Sequence, residues 1–285
     1  MLYKNYDQEA LDRQYNLRLH TPDFANYFER WDLLSRQTEK NYPVVKDIPY
    51  GALPLEQSDI YPSSQAHSKT LVFIHGGYWH LLDKSSFHFI AEVFPADNIT
   101  TVLLNYPLAP ACSMDQIVLS CRKAIAWLYQ NIAYYNGDPD QIYLAGHSAG
   151  GHLAAMLMTT DWPRFNSLVP ENTIKGVCAL SGLFNLTPVH LCYINQIVNM
   201  NDEAAARNSP VNLQPMNTCP LIMAVGATET AEFIEQSTEL ALCWNQKNCN
   251  VLLMQVPGSN HYSILDTITD NEAELHLAIR ELMKL

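Results

Sequence analysis

Residues Gly146-His147-Ser148-Ala149-Gly150 have the spacing G-x-S-x-G, directly after the apolar run 142–145 and before the small-residue stretch 149–155. A strand, a tight turn and a helix are expected in that order, the glycines permitting a strained turn that lifts the Ser148 hydroxyl clear of a sheet. At a helix N-terminus, the amide of Ala149 and the helix dipole favour the negative charge that develops when a hydroxyl attacks a carbonyl. A second element, His75-Gly76-Gly77-Tyr78-Trp79, ends the apolar run 71–74 upstream of the serine. Amides among Gly76, Gly77 and Tyr78, with that of Ala149, are expected to hold the oxyanion of a tetrahedral intermediate, each worth roughly 3 kcal/mol of barrier.

A serine hydroxyl attacks well only when a histidine takes its proton and a carboxylate fixes the histidine's tautomer. Of the ten histidines, His261 follows the last apolar run in Pro257-Gly258-Ser259-Asn260-His261-Tyr262. That is the C-terminal edge of a parallel sheet, where active-site loops gather. His75, His80, His147 and His152 read as neighbours of the serine's loop, and His20, His67, His88, His190 and His276 as surface or packing residues. The acid is expected after the run 221–225, in the chain order serine, acid, histidine. Glu229 fits that order best; Glu232 is the alternative, although it and Glu235 read first as charges of the following helix. No histidine pair has zinc-type i, i+4 spacing with an intervening glutamate, and the glycines of 146–151 lack the G-x-G-x-x-G order, so no metal and no cofactor are expected.

The elements that must position these groups alternate. Short apolar runs at 44–50, 53–61, 71–74, 101–104, 142–145, 177–180, 221–225 and 251–255 read as strands. Helical stretches at about 85–94, 114–135, 149–160, 231–246 and 270–284 separate the later ones, which is the βαβ pattern of an α/β protein with a mainly parallel, doubly covered sheet of about eight strands. Bulky residues at helical spacing in 1–40, broken near Pro22, predict two short helices that preface a single domain spanning 1–285. The irregular segment 184–216 is long enough to form a lid or pocket wall.

Composition sets the outer limits. The 285 residues are 48% hydrophobic and carry 17 basic against 29 acidic residues, a formal charge of -12. Such a chain has no broad cationic surface for nucleic acid or an anionic membrane, and a small-molecule substrate is the expected partner. A charged N-terminus without an apolar leader and apolar runs far below about 20 residues predict a soluble, cytoplasmic protein. Seven scattered cysteines without C-x-x-C spacing read as reduced thiols rather than a disulfide framework.

With these motifs the sequence resembles the α/β-hydrolase superfamily, and within it the kynurenine formamidase (arylformamidase) group, close to the hormone-sensitive-lipase type of esterase. Tyr78 stands where lipase-type esterases usually have a third glycine. Residues 181–188, Ser-Gly-Leu-Phe-Asn-Leu-Thr-Pro, are similar to the group's S-G-x-[YF]-[DN]-L-x-P; residues 226–233 resemble its G-x-x-[DE]-[ST]-x-E-F acid loop; and Leu11-Asp12-Arg13-Gln14-Tyr15 matches its L-x-x-Q-Y opening. Glu229 and Asn185 depart from the aspartates usual at those places. The resemblance implies hydrolysis of N-formyl-L-kynurenine to L-kynurenine and formate, a step of tryptophan catabolism, through an acyl-enzyme on Ser148 with His261 as base and Glu229 orienting it. It also implies a homodimer. Tyr78, Trp79 and Phe184 are candidates for an aromatic wall around the substrate ring. A carboxylesterase of small acyl esters would use the same triad, and a non-catalytic binding protein on the same fold is the reading from a different class.

Overall fold

Five strand ends meet at one place in the computed structural model, which describes residues 1–92 and 98–285. The strands are β1 (Val45–Pro49), β2 (Gln57–Tyr61), β3 (Ser68–Ile74), β4 (Thr100–Leu104), β5 (Gly137–His147), β6 (Ile174–Leu180), β7 (Leu221–Gly226) and β8 (Val251–Val256). They form one sheet in the order β1-β2-β4-β3-β5-β6-β7-β8. The β1–β2 and β2–β4 pairs are antiparallel and all pairs from β4 to β8 are parallel. The interior strands are buried on both faces, β4 and β7 throughout their length, which is why they read as unbroken apolar runs. β5 lies at the centre, with Gly146 opposite Ile74 on one side and Ala179 on the other.

Three helices precede the sheet: α1 (Gln8–Tyr15), the short α2 (Leu17–His20) and α3 (Phe24–Asn41). The two short helices expected on either side of Pro22 are thus replaced by a short pair before it and an 18-residue helix after it. The apolar stripe of α3 continues through buried Ser35 and Thr38, and no breaker intervenes before Pro43. Trp31 of this stripe packs on Phe87 and Phe89, at 5.6 and 6.0 Å between ring centroids.

The remaining helices are α4 (Met114–Asn131), α5 (Ala149–Met158), α6 (Trp162–Phe165), α7 (Thr187–Leu191), α8 (Asn195–Val198), α9 (Asp202–Arg207), α10 (Ala231–Asn245), α11 (Asp266–Thr269) and α12 (Glu274–Met283). A capping box of Ser113 and Gln116 starts α4. The stretch expected to be helical at 85–94 is a 3-10 helix at Lys84–Ala91, and residues 93 and 94 lie outside the described residues. β2 begins later than its apolar run because Leu53–Glu56 forms a turn in which the Glu56 carboxylate accepts the Leu53 amide at 3.1 Å. Among the described residues no helix is long and apolar enough to cross a membrane.

Candidate functional site

Ser148 sits between β5 and α5 with φ 57° and ψ −119°, and its amide donates to the Leu180 carbonyl at 2.8 Å. Few non-glycine residues hold a positive φ. Here the neighbours enforce it: a Cβ on Gly146 would overlap the Gly150 carbonyl, and one on Gly150 would overlap the carbonyl of Ile74. The loop after β3 lies directly against the serine, since a Cβ on Gly76 would come within 3.1 Å of Ser148 Cβ. Gly77, Tyr78 and Trp79 then follow with φ of 108°, 48° and 59°. Three successive left-handed residues turn the chain sharply over the N-terminus of α5, where the Ala149 amide belongs to the unsatisfied first turn.

His261, on the loop after β8, donates from Nδ1 to Glu229 Oε2 at 2.7 Å, and the side chains of both are almost fully shielded from solvent. The other Glu229 oxygen accepts from the Gly226 amide at 2.7 Å and from Ser181 Oγ at 2.5 Å. This leaves the carboxylate fixed in orientation and committed to one imidazole nitrogen. Glu232 does not share in this. It lies buried in α10 against Lys4 (3.1 Å) and the Tyr15 hydroxyl (3.3 Å), and burial raises its pKa above the usual carboxylate range.

The other histidines near the serine are braces. His147 donates from Nε2 to the backbone carbonyl of His261 at 2.8 Å, with the two rings 4.7 Å apart. Burial, and then the proximity of His261, hold its pKa well below the normal imidazole value, so it stays neutral. His75 reaches from the Gly76 carbonyl (2.8 Å) to Asn105 (3.1 Å) and stacks on Tyr106. His152 accepts the Trp79 indole N–H at Nδ1 (3.1 Å) and so donates from Nε2 to the Asn208 carbonyl (2.7 Å); burial lowers its pKa to about 4.

Ser148 and His261 open together onto a cavity of about 430 Å³. Gly77 and Tyr78 line it, the Tyr78 hydroxyl donating to the Tyr15 carbonyl at 2.8 Å. Two of the expected aromatic contacts are not there. Trp79 is fully buried beneath the loop, held by His152, and Phe184 is buried under Gly182 with its amide donated to Gln236 at 2.5 Å. Both belong to the core because the backbone of each loop turns inward there. The aromatic wall comes instead from Phe28 and Trp31 of α3, Tyr193 and Tyr262. Tyr262 stacks on Tyr27 (5.6 Å) and meets Phe28 edge-on (5.7 Å), so α3 also grips the loop carrying His261. The residue spacing of α3 reveals its apolar stripe but not that one end of the stripe faces a cavity. Ser181 was equally hidden: it lies in a motif, and only the fold brings it to Glu229. Among the described residues, no three His, Cys, Asp or Glu side chains gather as a metal-ligand set.

Comparison with known proteins agrees with this architecture. Residues 58–242 match the BD-FAE family model. The kynurenine formamidase of Salmo salar is 32% identical over 245 residues, covering 83% of this chain and 81% of the relative. That of Danio rerio is 33% identical over 246 residues, covering 84% and 80%. A crystal structure from Silicibacter sp., assigned as a thioesterase, superposes with a TM-score of 0.83 at 25% identity, over 94% of this chain and 98% of that one. With the sheet, the elbow and these likenesses together, the chain belongs to the BD-FAE family and to the kynurenine formamidase group of the α/β-hydrolases, and it is a hydrolase.

Proposed function

We propose that the protein hydrolyses N-formyl-L-kynurenine to L-kynurenine and formate, with Ser148, His261 and Glu229 as its catalytic triad. The observation that carries the reading is the Glu229–His261 pair at 2.7 Å, opening with Ser148 onto one aromatic-walled cavity. The likeness to formamidases over four-fifths of the chain supports the substrate. Ser148 Oγ attacks the formyl carbon while the free Nε2 of His261 takes its proton. The oxyanion accepts N–H donors from the 76–78 loop and Ala149. His261 then protonates the aryl nitrogen, the C–N bond breaks, and the amine leaves a formyl ester on Ser148. Water, deprotonated by His261, attacks that ester, the C–O bond to Ser148 breaks as His261 returns the proton to Oγ, and the acid released ionises to formate. Glu229 holds Nδ1–H and stabilises the imidazolium formed in each half. A formyl group is small, which suits a serine lying under the loop, and the aryl ring would rest against Phe28, Trp31 and Tyr262.

The test is kcat/KM for N-formyl-L-kynurenine beside that for p-nitrophenyl acetate, in the wild type and in Ser148→Ala. The expected outcome is a strong preference for the formamide and a loss of about 10⁶-fold in kcat in the variant. Ester turnover with negligible deformylation would instead make the protein a carboxylesterase. Full turnover by Ser148→Ala, or no reaction with a fluorophosphonate probe, would remove the triad altogether.

A further inference from the structure

One permanent charge faces the cavity. Among the described residues that line it, only Arg18 carries a guanidinium or other fixed charge, and the rest are apolar, aromatic, amide, imidazole or hydroxyl groups. Arg18 lies in α2, and its guanidinium sits 4.9 Å from the centroid of the Phe24 ring, which holds the stem at the cavity rim. Four of the other seven arginines are spent on carboxylates: Arg13 on Glu9, Arg30 on Asp266, Arg36 on Asp32 and Arg207 on Asp115. Arg18 forms no such ion pair among the described residues, and it remains largely exposed. Asp23, the acid nearest in the sequence, makes no ion pair with it, and Asp12 is committed to the Tyr193 backbone amide at 2.8 Å and the Gln8 side-chain amide at 3.0 Å. The charge nonetheless acts across the cavity. Burial and then Arg18 lower the pKa of His80, another cavity residue, and burial raises the pKa of Tyr193 and Tyr262 while Arg18 offsets part of that rise.

We propose that Arg18 binds a carboxylate of the substrate, so that the site selects anionic substrates whose acid group lies away from the scissile bond. This rests on the proposed hydrolysis and names the class of substrate it serves. A guanidinium presents a planar pair of donors matched to a carboxylate, and an unpaired one at the edge of an apolar cavity is already positioned for it. The charge has to be local. The chain as a whole carries -12, so an approaching anion is repelled at long range, and salt screens that repulsion beyond about 8–10 Å. Among the described residues, the rest of the cavity lining offers an anion no fixed positive charge.

The experiment compares two substrate pairs that differ only in a carboxylate: N-formyl-L-kynurenine and its methyl ester, and 4-acetoxybenzoate and its methyl ester, the second followed by phenolate release. Each is measured with the wild type, Arg18→Met and Arg18→Lys. The expected result is a wild-type preference for the free acid that falls about tenfold or more in Arg18→Met, chiefly through KM, and returns in part in Arg18→Lys. A merely structural role for Arg18 would change acid and ester by the same factor, and that outcome overturns the proposal. So does a wild type that shows no preference for the acid in either pair. If formylkynurenine is not turned over but acetoxybenzoate is, the deformylation reading fails while the second pair still decides the role of Arg18.

Discussion

Glu229 is held by three donors, and each has a separate consequence. His261 Nδ1 and the Gly226 amide would remain in a Ser181→Ala variant, whereas the 2.5 Å bond from Ser181 Oγ would be lost. A hydrogen bond to a buried charged group is worth about 1.5–3 kcal/mol. Part of that loss falls on the orientation of His261, so kcat is expected to drop about tenfold with KM little changed. Steady-state kinetics on the proposed substrate checks this, and an unchanged kcat would show that Gly226 alone orients the carboxylate. Ser181 itself adopts φ 48°, its amide donating to the Ala224 carbonyl at 2.7 Å. Its hydroxyl is thus aimed by backbone geometry.

At the scale of elements, the groups of the proposed active site come from the C-terminal ends of neighbouring parallel strands: the 75–79 loop from β3, Ser148 from β5, Ser181 from β6, Glu229 from β7 and His261 from β8. The tightest junction is that of β5 with α5 against β3. Gly150→Ala would drive a Cβ into the Ile74 backbone, a contact no flexible side chain can relieve. Such overpacking costs typically about 1–3 kcal/mol or more. The expected outcome is a lower thermal midpoint together with a large loss of fluorophosphonate labelling, because the helix must shift away from β3 and carry Ser148 with it. Labelling at the wild-type rate would show that the junction tolerates the shift. α3 contributes differently, closing the cavity with Phe28 and Trp31 while Tyr27 holds Tyr262 and, through a 3.1 Å bond, the Asn260 side chain.

Across the whole molecule, buried neutral imidazoles couple stability to pH. His152 ties the β3 loop to the segment after α9, and its pKa is about 4 against an ordinary value of 6.5. The unfolded chain therefore binds a proton near pH 6.5 that the folded chain refuses until about pH 4. The His152 contribution is fully present above pH 6.5 and is lost as pH falls through that window, by about 2 kcal/mol at pH 5. Burial depresses His75 and His147 in the same direction. Urea unfolding of His152→Asn is expected to start from a lower stability at pH 7 but to lose about 2 kcal/mol less than the wild type on going to pH 5. Parallel declines would show that His152 does not titrate in this way.

Local patterns determined much of this protein. Glycine spacing announced the serine turn, the chain order of Ser148, Glu229 and His261 picked out the residues that the sheet brings together, and unbroken apolar runs announced buried parallel strands, because each of these depends on neighbours in the chain. The tertiary structure decided what depends on distant ones. Trp79 and Phe184 look like a pocket wall in the sequence and are core in the fold, since the direction a loop residue faces is set by partners such as His152 and Gln236, which lie 73 and 52 positions away. Phe28 and Trp31 look like an ordinary apolar helix face and wall the cavity, since which part of an apolar face meets protein and which meets open space is settled only when the helix docks. Arg18 reads as one basic residue among 17, and only the packed structure leaves it facing the serine's cavity with no ion pair among the described residues.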